Sequence, residues 1–172
     1  MTTFAITTTL LSLAIFVGFI LLGVRKFGLL PSYSAYSSKW AETVPIHNAN
    51  IWSIITTVVA LLLAPALIEQ GEGNPWQCLG FFAPIYLIVV AMTPRWETDK
   101  KQKRVHVFGA ALCALIALLW LALVRHQAWL PVVTALAAWC AGYATITAKK
   151  SLVFWAEMAM FSAVYVSLLI GG

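Results

Sequence analysis

Residues 1–23 read MTTFAITTTLLSLAIFVGFILLG, and the meaning of this stretch decides what kind of molecule the chain is. A secretory signal peptide has a basic start, an apolar middle of roughly 7–15 residues and a small-residue cleavage site. No cation precedes this run, the run is longer than that, and Arg25 and Lys26 follow it directly. It reads as a retained membrane-spanning helix. Because Lys and Arg beside a span are held on the cytoplasmic side, its N-terminus is expected on the other side.

The rest of the chain continues in the same vein. Of 172 residues, 62% are apolar and 10% are charged, against roughly 45–50% and 25% in an ordinary soluble domain. A soluble fold of this size would leave about a third of its surface in water, which so apolar a chain cannot supply. Runs of roughly 17–25 apolar residues are long enough to span. Six are read here, at 4–23, 50–69, 77–93, 106–125, 128–147 and 151–170, with a cytoplasmic interfacial loop at 24–49. The expected fold is all-α, a single polytopic transmembrane bundle over 1–172.

Charge orients it. Arg25, Lys26 and Lys39 lie between the first two spans. Arg95, Lys100, Lys101, Lys103 and Arg104 lie between the third and fourth, and Lys149 and Lys150 between the last two. Only Arg125 falls on the opposite side, so both termini are expected on the non-cytoplasmic side. The net charge of +5 is thereby accounted for without nucleic acid. Cys78, Cys113 and Cys140 are odd in number and have no CxxC or Cys/His spacing, so neither a disulfide nor a metal is expected, and no motif asks for a cofactor.

Small residues suggest which helices pack closely. Ala14-xxx-Gly18 and Ala138-xxx-Gly142 fit the small-xxx-small pattern, and the span 128–147, poor in bulky aliphatics, is expected to be the most buried. Pro65 and Pro84 interrupt two spans. Most tryptophans fall near span ends, as an aromatic belt would.

Two inner loops stand out. In GLLPSYSAYSSKWAETVPIHNAN (28–50), Tyr33, Tyr36 and Trp40 recur at helical spacing between Pro31 and Pro45. A short amphipathic helix at the membrane interface follows, either a connector or, with Ser32 and Ser34, a lid over an inward-facing cavity. In PRWETDKKQKRVH (94–106), Lys100, Lys101, Lys103 and Arg104 are candidates for contact with anionic headgroups. They also serve as topology determinants.

Within VFWAEMAMF (153–161) a carboxylate, Glu157, sits well inside a span rather than at its end. A charge at mid-membrane costs roughly 2.5–3.5 kcal/mol on insertion scales, so such residues are functional candidates by default. Polar groups expected at similar depth are Thr145 and Tyr143, His106, and His47, Asn48 and Asn50. With Glu157 they form a candidate ion or substrate pocket open to the cytoplasm. Hydrolase signatures such as GxSxG and HExxH are absent, which turns the reading away from an enzyme.

The segments LLPSYSAYSSKW, VAMTPRWETDKKQKRVHVFGA and FWAEMAMFSAVYVSL resemble those of an uncharacterised family of small six-helix membrane proteins of bacteria and their phages. That family carries a proline-serine-x-serine stretch after helix one, a histidine opening helix four and a glutamate in the last helix. The resemblance implies a joint role for Ser32, Ser34, His106 and Glu157 and a bacterial inner-membrane location. It names no substrate. Two functions are thus expected. The first is a small-solute or ion transporter or channel using Glu157. The second is a non-catalytic scaffold or accessory subunit that binds lipid, a partner membrane protein or a second copy of itself.

Overall fold

The computed structural model describes residues 1–43, 51–148 and 150–170, and among these there are helices and turns but no strands. The helices are α1 (Thr3–Phe27), α2 (Ala35–Thr43), α3 (Ile51–Glu69), α4 (Leu79–Ala91), α5 (Lys100–Leu119), α6 (Leu130–Thr147) and α7 (Leu152–Ile170). A π-helical turn, Trp120–Val124, extends α5. Five of these segments are long and apolar enough to cross a membrane: α1, α3, α5 with its π turn, α6 and α7. The predicted span at 77–93 appears as α4, an apolar helix of 13 residues. At 1.5 Å per residue it is about 20 Å long, short of the roughly 30 Å hydrocarbon thickness. Turns at either side consume the remaining residues of that run.

Local chemistry sets the boundaries. Thr2 caps α1 by accepting the Ala5 N–H. Gly28, at φ 75°, ends it in a conformation that costs glycine little. Asp99 caps α5 through the N–H groups of Lys101 and Gln102. Pro131 stands in the first turn of α6, where its missing N–H has no intrahelical partner to lose.

Helices α1, α3, α4 and α5 pack in that order, each on the next, while α7 carries α6 on its outer side and meets α1 and α5 more sparingly. Close approaches fall at glycines. A Cβ on Gly80 would lie 2.6 Å from the Leu67 carbonyl oxygen, so α4 runs against the backbone of α3. Likewise, a Cβ on Gly142 would run into the Trp155 indole. The core holds Phe16, Trp52, Trp120, Leu121 and Leu168. A polar chain crosses it. Ser12 donates to the Val59 carbonyl at 3.0 Å, so its hydroxyl proton is used and Tyr165 is the donor in their 2.8 Å bond.

At one end of the bundle, the basic end, the C-terminus of α1, helix α2, the α4–α5 turn and the start of α7 meet. Ser37 bonds the Pro94 carbonyl, the Trp96 indole bonds the Ser34 carbonyl, and the Phe154 N–H donates to the Pro31 carbonyl. At the other end Arg125 reaches Gln70 after α3 and Ser167 of α7. Thr2 there bonds Glu69.

Two packing expectations fail. The helix at 128–147 is the most peripheral of the span-length helices, with 17% of its window buried, because its small residues serve a single seam with α7. Gly18 has no atom within 4 Å of where a Cβ would be. The tight glycine of α1 is Gly23, against the Tyr36 ring.

Candidate functional site

Glu157 lies on the second turn of α7 and faces the turn that links α1 to α2. Its Oε2 accepts the Tyr33 backbone N–H at 2.6 Å. Among the described residues no cation pairs with it. Three residues earlier, the free N–H of Phe154 in the first turn of α7 donates to the Pro31 carbonyl at 2.9 Å. The start of α7 therefore grips the Pro31–Tyr33 backbone at two points, one using a helix N–H that lacks an intrahelical acceptor and one using the carboxylate.

The sequence prepares that turn. Gly28 reverses the chain and Pro31 offers a carbonyl but no N–H. Ser32 Oγ accepts the Ala35 N–H at 3.1 Å, which starts α2. Tyr36 then folds back, its hydroxyl donating to the Gly28 carbonyl at 2.9 Å. Tyr33 points into the bundle at 4% exposure. Its ring lies against Phe16 and Phe19 of α1, Trp52 of α3 and Phe161 of α7, and its hydroxyl meets Thr56 at 2.8 Å. Burial pushes the Tyr33 phenol above the usual tyrosine range, an effect partly offset by the Thr56 bond, and burial does the same to Tyr36.

Beyond Glu157 opens a crevice of about 320 Å³ between α7 and the α3–α4–α5 wall. Tyr33, Ser34 and Glu157 line its basic end. Leu67, Trp120 and Val164 line the far end, with Pro84 and Cys113 among the walls between. Val153 and Ala156, also in its lining, are exposed on α7, so the crevice opens sideways through the bundle surface. The walls are apolar and the ionisable chemistry gathers at one end. That is the usual plan of a small-molecule site.

Of the groups expected around Glu157, the three among the described residues have other surroundings. His106 is buried, with Nδ1 at 2.8 Å from Thr93 Oγ1 and its ring stacked on Trp96 at 4.6 Å. Thr145 joins the seam between α6 and α7, taking bonds from Ser151 and the Trp155 indole. Tyr143 is 59% exposed on α6. His47, Asn48 and Asn50 lie outside the described residues. The residues read as a lid do come together: Ser32, Tyr33, Ser34 and Tyr36 are all buried. Trp40 packs beside them between Phe19 and Phe27, with Lys26 over its ring at 4.6 Å. Lys100, Lys101, Lys103 and Arg104 are exposed at the start of α5.

Sequence reasoning missed the partner Glu157 actually has, a backbone N–H, and the crevice walls on α4 and α5. No residue type signals a backbone donor. The only hint was that Pro31-Ser32 starts a turn whose next N–H groups are still unclaimed. Comparison of the chain with protein-family models, with curated proteins and with solved structures finds no match.

Proposed function

We propose that this chain is an integral membrane protein that crosses the bilayer six times, with α4 as the short sixth crossing and both termini on the non-cytoplasmic side. We further propose that it is a small-solute or ion transporter. One observation carries the reading: a crevice open to the side of the bundle ends on a carboxylate that no cation among the described residues pairs with, and that same carboxylate holds the turn closing the crevice's basic end. On this reading Glu157 is the binding group and the Pro31–Ser34 turn, with α2, is the cytoplasmic gate. A proton or cation arriving at Glu157 competes with the Tyr33 N–H, so occupancy and gate position are linked. Charge distribution supports the orientation, and the exposed cations of α5 support contact with anionic headgroups.

A second reading rests on the same two bonds: Glu157 is a latch that fixes the turn, in a scaffold that binds another membrane protein or lipid. Proton and monovalent-cation flux in proteoliposomes, compared between wild type and Glu157→Gln at equal incorporation, separates them. The transporter reading expects flux that the variant lacks. Absence of flux in both, with a variant that melts earlier, refutes it in favour of the latch.

A further inference from the structure

The crevice and its charge together specify a chemical class of ligand. We propose that it binds a single-tailed organic cation, an ammonium head on a short alkyl or aryl body, taken laterally from the bilayer. This deepens the solute-binding reading given above and rests on it.

Three observations carry the class. First, the lining runs along α7 from Glu157 to Val164, seven residues or about 10 Å, and along α5 from Ala110 to Trp120, about 15 Å. It is apolar throughout that length, so the body of the ligand must be apolar and extended. Second, the single acidic group sits at one end of that slot, and among the described residues no Lys or Arg is paired with it. Its Oε2 is held by the Tyr33 N–H, leaving Oε1 for a ligand. An anionic head would meet that carboxylate in a low-dielectric site with no counter-charge, which disfavours fatty acids and alkyl sulfates. Third, the ring of Phe161, one helical turn beyond Glu157 on α7 and 5.9 Å from the buried Tyr33 ring, lies in the crevice lining. An aromatic ring beside a carboxylate suits a quaternary or alkylated ammonium, which gains from the ring quadrupole while having little hydration to lose. The sideways opening past Val153 and Ala156 gives an amphiphile a route in along the bilayer, head toward the basic end.

The test uses the full-length protein in phosphatidylcholine nanodiscs, titrated calorimetrically with octyltrimethylammonium, octyl sulfate and 1-octanol, each corrected by empty nanodiscs. Binding of the ammonium at least tenfold tighter than the other two is expected. It should weaken at least tenfold in Glu157→Gln and vanish in Ala114→Phe, which fills the crevice from α5. If Glu157→Gln fails to fold, the headgroup series and Ala114→Phe still decide. Equal binding of all three probes, lost only in Ala114→Phe, overturns the cation class while leaving a solute-binding crevice. Ammonium binding indifferent to both substitutions places the cation elsewhere and overturns the proposal. No binding of any probe overturns both this inference and the solute site it rests on.

Discussion

If Glu157 latches the Pro31–Ser34 turn, replacing its acceptor should loosen that turn by a calculable amount. In Glu157→Leu the Tyr33 N–H, on a residue 4% exposed, loses the one partner it has among the described residues, and an unsatisfied buried donor costs about 1–3 kcal/mol. The second tie, Phe154 N–H to the Pro31 carbonyl, is untouched, so the turn loosens without detaching. In Glu157→Gln an amide oxygen replaces the carboxylate oxygen. The bond survives without charge assistance, which is roughly half of such a bond's strength, so the loss is about half as large, about 0.5–1.5 kcal/mol. The assay is the rate at which a water-soluble maleimide labels Ser34→Cys, itself 5% exposed, with Cys78, Cys113 and Cys140 replaced. When opening is fast relative to labelling, the rate tracks the open population, and 1–3 kcal/mol corresponds to about 5- to 150-fold. Labelling should therefore rise within that range for Glu157→Leu and by a smaller factor, about 2- to 12-fold, for Glu157→Gln. Equal rates in wild type and Glu157→Leu would sink the latch. A Gln variant as fast as Leu would mean that charge, not the acceptor, holds the turn.

Other expectations follow from the same packing. Gly80→Ala puts a methyl 2.6 Å from the Leu67 carbonyl oxygen and should cost about 1–3 kcal/mol through separation of α3 and α4. Gly18→Ala meets nothing within 4 Å and should be neutral or slightly stabilising, so denaturant titration in detergent should rank the two far apart. Arg125→Leu removes the bonds to Gln70 and Ser167 that tie α7 to the far end of α3. A lowered melting temperature and faster proteolysis near residue 170 are expected; an unchanged melting curve would count against that clamp. Because burial raises the Tyr33 phenol in the folded protein, its contribution to stability is full below the unfolded value near 10 and falls as pH climbs above it. Tyr33→Phe should flatten that alkaline loss of stability, and an unaltered slope would contradict the burial argument.

The amino-acid sequence by itself determined the all-helical class, the approximate position of each apolar helix and the clustering of cations at one end, since these depend on composition, run length and charge order along the chain. It also singled out Glu157, because a carboxylate in an apolar run is anomalous wherever the neighbours lie, and it grouped Ser32, Tyr33, Ser34 and Tyr36 through their spacing. What it could not fix was which groups at equal depth would meet. His106, Thr145 and Tyr143 were all plausible partners along the chain, yet Thr93 and Trp96 hold the first, the seam between α6 and α7 takes the second, and the third faces outward. The Tyr33 N–H became the partner of Glu157 because the Gly28–Pro31 turn folds back beneath α7, a three-dimensional outcome that no side chain advertises. The burial of α6 was misjudged for a related reason. Small residues permit close approach but do not say how many neighbours arrive, and here α6 packs chiefly on α7. The crevice likewise exists only as the gap left where α7 stands off α5. A gap is a property of how helices are placed relative to one another, and only the tertiary structure decides that.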